Sequence, residues 1–529
     1  MPGILDQQFD IVVVGSGHNA LIAAAYLAKS GQRVIVLERN AWYGGGVVTR
    51  EIVAPGFKHD IHSSAHVYIQ ANPLIQNDEL QLLSKFGLRY IYPEAVFSSI
   101  FDDHSSIVTY TDIDRTCESI AAISPRDAEA YRRFTNMSQR VLPLLTSSLF
   151  VPPAPHGPFW ALLDQSAEGQ DLMRALQLSV YDLVTEWFEH EKVIIHLLKF
   201  VSEGLVGPDE KGTGITLYTM PGFVHTYPSG MPEGGSGVLV DALIRCLSAN
   251  GAELRSGTDV VKVITEGGRA VGVETADGEV IRSRSAVLAT IHPWLLDRYL
   301  DGLDARVVAN AKRIHPSSYA PAVAHFALHA PPNYFAGDIP GQAFLAGLVP
   351  ASLETFRRGF DSFRYGEIPQ HPMMTALVNS RHDPTRAPAG KATLCLWGFM
   401  PFELKDGGAA RWDERKEEIG DFMLDNYRRY VSNLNAENII GRRYDTPLDI
   451  ERSSPSFQRG DVHGTGPFLY QFGGHRPTPE LAQYTVPGLE RFYLTGCFMH
   501  PGGGVFGGGR ATAIKICEDL GIDFDALVN

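Results

Sequence analysis

The sequence predicts an α/β protein that opens on a dinucleotide-binding strand–helix–strand unit. Three observations predict it: the β-branched run Phe9 to Val14, the turn Gly15-Ser16-Gly17 directly after it, and a second apolar run from Arg33 to Leu37. Between the runs, Ala20 to Ser30 is rich in Ala and Leu, and Gly31 stands where a helix would stop.

The turn carries the chemistry. Gly15 permits a tight reversal, and Gly17 lets the backbone approach a pyrophosphate at the helix N-terminus. Ser16 lies between them, and Ala20 lets the helix pack close to the strand. Glu38 ends the second strand, where a carboxylate accepts hydrogen bonds from an adenosine ribose. That acid speaks against a 2′-phosphorylated dinucleotide.

Two further features select FAD over NAD. Arg39 is followed by Gly44-Gly45-Gly46, a second flexible segment suited to lie against the dinucleotide. Far along the chain, Leu494-Thr495-Gly496 leads into the loop His500 to Gly509, which includes Gly504 and Val505, and then into a helix. A flavin needs backbone donors along its ribityl chain and ring as well as at its adenosine.

The remaining elements follow in order. Ser124 to Leu205 reads as mainly helical, with Ser124 as cap, Pro125 at the first position, and a proline-rich break from Val151 to His156. Its aromatic residues read as helix core or as the wall of an apolar tunnel. A helix is expected over 238–249. Strands are expected over 260–264, 270–275, 279–281 and 285–289, with a tight hairpin at Asp277-Gly278. From 305 to 489 the pattern is mixed, with an amphipathic helix from Trp412 to Tyr430.

These motifs resemble the phytoene-desaturase-like FAD oxidoreductases, a branch of the amine-oxidase-like flavoprotein superfamily. The likeness is strongest to the pyridine nucleotide-disulfide oxidoreductase domain-containing protein 2 type. It rests on Asp10 to Asn19, Gly44 to Thr49 with Glu51 to Phe57, Thr446 to Asp449, Gly460 to Gly464, and the His500 to Gly509 loop. The resemblance implies a Rossmann-like FAD-binding domain assembled from discontinuous segments, with an inserted α+β substrate domain. Segments 1–70, 225–300 and 485–529 would bind FAD; 71–224 and 301–484 would bind substrate. It also implies a backbone contact to the adenine at Val260-Val261. Many carotenoid desaturases carry an arginine where this chain has Gly46, a departure that weakens a carotenoid assignment.

His59, His62 and His66 cluster in sequence, but the metalloprotease spacing with glutamate is absent, so no metal site is expected. His500 at the mouth of the C-terminal loop and His62 are the candidate proton acceptors. The five cysteines are scattered, with no C-x-x-C pair, which fits a reducing setting. Cys497 is close enough to that loop for a covalent flavin link, but a buried thiol is the preferred reading.

The 529 residues carry 46 Lys plus Arg against 60 Asp plus Glu, a net charge of −14 that argues against nucleic acid as partner. Residues 1–10 lack a signal-peptide pattern and no stretch has transmembrane length, so a cytoplasmic protein is expected, with peripheral membrane contact left open. The expected activity is removal of a hydride from an apolar small molecule to form a double bond, with oxygen or a quinone among the acceptors left open. The alternatives are an FAD-dependent isomerase or cyclase, and a non-enzymatic lipid-binding or escort protein of the same fold.

Overall fold

The opening β-branched strands are apolar on both sides and need cover on both faces. A computed structural model describes residues 8–529 and shows how they obtain it. Strand Gln8–Val14 turns at Gly15 into helix His18–Lys29, which returns to strand Val34–Leu37. The two strands pair in parallel, Ile11 with Val34 through Val14 with Leu37.

The first sheet draws its strands from three distant parts of the chain. In spatial order they are Val260–Glu266, Arg269–Thr275, Leu489–Leu494, Val280–Ala289, Gln8–Val14, Val34–Leu37 and Glu253–Arg255, with Thr485–Val486 pairing off this path. This is the discontinuous Rossmann-like α/β domain that the motifs imply. Helices His18–Lys29, Gly237–Ala249 and Gly509–Leu520 cover one face. Arg510 joins chain end to chain start: its guanidinium donates twice to Glu79 at 2.8 Å, and Tyr26 OH donates to the same carboxylate at 2.5 Å.

The two short strands expected at 279–281 and 285–289 are one strand, Val280–Ala289. Its first half pairs antiparallel with Arg269–Thr275 and its second half pairs parallel with Gln8–Val14. The change of partner, not a break in the chain, produces the change of pattern at Arg282 to Arg284.

The mixed stretch from 305 to 489 supplies most of a second sheet of seven strands. Their order is Ile439–Asp445, Ala320–Leu328, Ala392–Met400, Met374–Leu377, Leu345–Val349, Ala95–Phe101 and Ser106–Tyr110. Only the Leu345–Val349 and Ala95–Phe101 pair is parallel. Helix Pro125–Thr146 begins as the sequence suggests: Ser124 Oγ accepts from Asp127 N at 3.2 Å, with Pro125 at the first position. It belongs to a helical layer whose core includes Phe134, Leu183, Val193 and Leu197 and which packs on this sheet. The amphipathic helix runs Arg411–Arg428 and buries Trp412, Met423 and Tyr427.

Among the described residues, no helix is long and apolar enough to cross a membrane. No group of three or more His, Cys, Asp or Glu among them could hold a metal ion, and all five cysteines are free.

Candidate functional site

A cavity of about 890 Å³ runs between the two sheets, and both glycine motifs line it. At one end are Gly15, Ser16, Gly17, Glu38, Arg39 and Asn40, facing Thr258, Asp259 and Val260. Gly45, Gly46 and His62 follow, then Gly496, Cys497, His500, Gly504 and Val505. The far part is apolar, walled by side chains such as Phe200, Phe223, Leu345 and Trp397.

The polar end fits a dinucleotide. No side chain caps helix His18–Lys29, so its first N–H groups point into the cavity region without a capping acceptor. A Cβ built on Gly17 meets no protein atom within 4 Å, so open space lies where a pyrophosphate would sit. The Gly44–Gly46 segment lies directly on the first turn. Gly44 N donates to Ser16 O at 3.1 Å, and a Cβ on Gly45 would come within 3.1 Å of Gly17 Cα.

Glu38 is buried, and its carboxylate is held on both oxygens. Oε2 accepts from Ser16 N at 3.0 Å and Ser16 Oγ at 2.6 Å; Oε1 accepts from Asn40 N at 2.8 Å and Asn40 Nδ2 at 2.9 Å. The acid therefore also braces the glycine turn, a duty the sequence pattern does not reveal. Arg39 is exposed on the cavity rim, where its guanidinium donates to Ser453 O at 3.3 Å. Ala20 is buried against the sheet and lines the cavity at its edge.

Val260, not Val261, contributes its side chain to the wall; Val261 is 39 % exposed. The pairing register shifts between Val260 and Lys262, so Val261 sits at an irregularity in the strand. Gly46 is tightly confined. A Cβ there would lie 3.0 Å from Phe457 Cζ, which leaves no room for the arginine of the carotenoid pattern without moving that ring.

The three clustered histidines separate. His66 is a structural brace between Tyr90 OH at 3.1 Å and Ser236 Oγ at 2.7 Å. His59 packs edge-on against His325 beside the buried Asp60–Arg386 ion pair, 2.7 Å long. His62 alone lines the cavity, with its ring edge on Phe457 and Nδ1 buried without a partner. His500 is buried and donates from Nε2 to Ser148 O at 2.8 Å. That bond places the proton on Nε2 and leaves Nδ1 as an unpartnered acceptor. Burial lowers the pKa of both His62 and His500 to about 4, so both rings are neutral at physiological pH. Burial pushes the Cys497 thiol up to about 12, which keeps it protonated.

Arg476 holds the C-terminal loop in place. It is buried, and its guanidinium donates to Thr465 O at 3.0 Å, Cys497 O at 2.9 Å and Met499 O at 3.1 Å. Sequence reasoning did not single it out, because its partners are backbone carbonyls with no pattern to read.

Comparison with known proteins settles the family. A model described as NAD(P)-binding Rossmann-like domain matches residues 13–77, and one described as flavin containing amine oxidoreductase matches residues 114–520. The chain belongs to the flavin-containing amine oxidoreductase family. It is 26% identical to a limonene dehydrogenase polypeptide of Castellaniella defragrans, across 98% of this chain and 96% of that one. It is 29% identical to pyridine nucleotide-disulfide oxidoreductase domain-containing protein 2 of Rattus norvegicus, across 98% and 95%. It is 24% identical to phytoene desaturase (lycopene-forming) of Pseudescherichia vulneris, across 96% and 99%. The fold is similar to that of putrescine oxidase bound to putrescine, with a TM-score of 0.63 at 15% identity over 97% of this chain and 99% of that one. The protein is an FAD-dependent oxidoreductase of this family, as the motifs at both ends of the chain imply.

Proposed function

We propose that this oxidoreductase is a dehydrogenase or desaturase that removes a hydride from an apolar small molecule and leaves a new double bond. The observation that carries this is the continuity of the cavity, from an uncapped helix N-terminus with open space at Gly17 to an aromatic and aliphatic chamber at the substrate sheet. The relatives named limonene dehydrogenase and phytoene desaturase support the same class of chemistry.

Bound FAD supplies the hydride acceptor. Gly15, Ser16, Gly17, Gly44, Gly45 and Gly46 cradle the dinucleotide; Glu38 and Arg39 flank its ribose; the Val260-Val261 backbone meets the adenine. Gly496, Gly504 and Val505 support the flavin end. The apolar chamber excludes water and orients the substrate. Loss of hydride leaves a carbocation-like substrate whose neighbouring C–H is strongly acidic. A neutral imidazole with a pKa of about 4 is basic enough to take that proton, and His500 Nδ1 is the acceptor, with His62 as the second candidate. The C–H electron pair left behind closes the double bond.

The substrate enters past an uncharged rim. Residues 147–163 contain no Asp, Glu, Lys or Arg, and Val151 and Leu162 are exposed there beside the cavity-lining Phe159 and Trp160. This supports peripheral contact with a lipid surface during loading.

The test is anaerobic incubation of the FAD-replete protein with limonene and with a linear polyene, followed by product analysis. Bleaching of the visible flavin band with a product two hydrogens lighter is the expected result. A product of unchanged mass without net bleaching would replace this reading by the isomerase or cyclase one. Reoxidation in air or with a soluble quinone then identifies the electron acceptor.

A further inference from the structure

The apolar chamber contains a buried ion pair that the proposed hydride chemistry does not use. Lys199 lies in helix Glu191–Ser202 and Glu203 ends that helix. The Lys199 side chain is fully buried and passes over Gly347, where a Cβ would come within 3.2 Å of Lys199 Cγ. Its ammonium donates to the Glu203 carboxylate and to Thr375 Oγ1 at 2.7 Å, and lies 4.4 Å from the centre of the Phe399 ring. Thr375 in turn donates to Glu203 Oε1 at 2.5 Å.

The arrangement is asymmetric. Oε1 of Glu203 takes both internal hydrogen bonds, and no hydrogen bond from the described residues reaches Oε2. Glu203 and Thr375 both line the cavity, and the Glu203 side chain is 17% exposed. A charged acceptor with a free oxygen in an apolar chamber gains substantially from a donor. All three residues belong to the substrate sheet or its covering helix, away from the glycine turns that cradle the dinucleotide.

The geometry points to a polar anchor for substrate: Glu203 Oε2 accepts a hydrogen bond from the hydroxyl of a neutral, otherwise apolar substrate. The charge balance selects a hydroxyl over an amine. Lys199 already neutralises Glu203, so an ammonium group bound here would bring a second cation against a buried first one. A hydroxyl satisfies the open lone pairs and adds no charge. This deepens the proposed function by naming a substrate class and rests on that reading, but its test needs no turnover.

Holoenzyme is titrated calorimetrically with 1-octanol, octyl methyl ether and octylamine. Only the alcohol is both neutral and a donor. It should bind roughly 10- to 100-fold more tightly than the ether, the range expected for a hydrogen bond to a charged acceptor. The Lys199→Met/Glu203→Leu double variant, which removes both charges together, should lose this preference to within about twofold. Lys199→Met alone should turn the preference toward octylamine, because the carboxylate is then uncompensated. Equal affinity for alcohol and ether in the wild type overturns the proposal, as does tightest binding of octylamine. Persistence of the alcohol preference in a double variant that retains FAD overturns it too. A double variant that fails to retain FAD leaves the wild-type comparison to decide. Flavin bleaching by an apolar substrate is scored separately, so the oxidoreductase reading and the anchor fail independently.

Discussion

Replacing Gly17 separates the fold from the cofactor site. Its backbone angles, φ −55° and ψ 148°, suit any residue, and a Cβ there touches nothing within 4 Å. Gly17→Ala apoprotein should therefore be as stable as wild type, or gain about 0.4–1 kcal/mol because the unfolded chain loses freedom. FAD binding should suffer, because the methyl group enters the space left for the pyrophosphate. Overpacking of that kind costs about 1–3 kcal/mol, or roughly 5- to 150-fold in Kd; Gly17→Leu should abolish binding. Gly15 provides the contrast. Its φ is +86° and a Cβ would lie 2.0 Å from Thr290 Oγ1, so Gly15→Ala should destabilise the apoprotein itself. Urea unfolding of the apoproteins, paired with FAD titration followed by flavin fluorescence, measures both quantities. A Gly17→Ala apoprotein destabilised by more than about 1 kcal/mol, or a Gly17→Leu protein that purifies with full FAD, would refute the reasoning.

Three further outcomes are expected. Glu38→Ala should weaken FAD binding by about 1–3 kcal/mol and also lower the apoprotein melting temperature, since Ser16 N loses its acceptor; unchanged affinity would point to another ribose partner. His500→Ala that retains FAD should slow flavin reduction by roughly 10²- to 10⁴-fold in stopped flow, whereas a normal rate would retire His500 and leave His62 as the next candidate. Stability should fall in mild acid. Burial lowers His18, His62, His292 and His500 to about 4 and His59, His66, His196 and His325 to about 3. Above an unfolded pKa near 6.5 these groups are neutral in both states and contribute nothing; between about 6.5 and 4 only the unfolded chain takes up protons, so stability drops as pH falls. Melting curves at pH 7, 6 and 5 check this, and a flat profile would show that these rings are accessible to protons in the folded state.

The cofactor half of the fold was legible because its signals are local. Strand, glycine turn, helix and acid follow one another within residues 8–38, and each step has a steric or electrostatic reason that sequence alone expresses. The substrate sheet was not legible for the opposite reason. Ala320–Leu328 is buried throughout, so it shows no alternation, and its neighbours are residues 392–400 and 439–445. Pairings at that separation leave no periodic trace. The site shows the same division. Gly15, Gly17 and Glu38 were visible as a motif. Lys199, Glu203 and Thr375 come from a helix, its end and a strand, and only the fold brings them together. His59, His62 and His66 looked equivalent in sequence; the structure gives them three different surroundings.

The buried charges point to a division of labour between the two halves of the cavity. Asp60 is matched by Arg386, Lys199 by Glu203, and Arg476 is surrounded by carbonyl oxygens. A buried charge left alone costs several kcal/mol, so these pairings keep the walls rigid and the chamber close to electrically neutral. The cofactor end differs, with an uncapped helix N-terminus and a cluster of backbone N–H groups facing open space. An anionic dinucleotide gains at that end, and an uncharged substrate incurs the least penalty in the chamber beyond it. A freely cationic amine would meet neither condition. That contrast separates this chain, on electrostatic grounds, from an amine-oxidising relative built on the same two sheets.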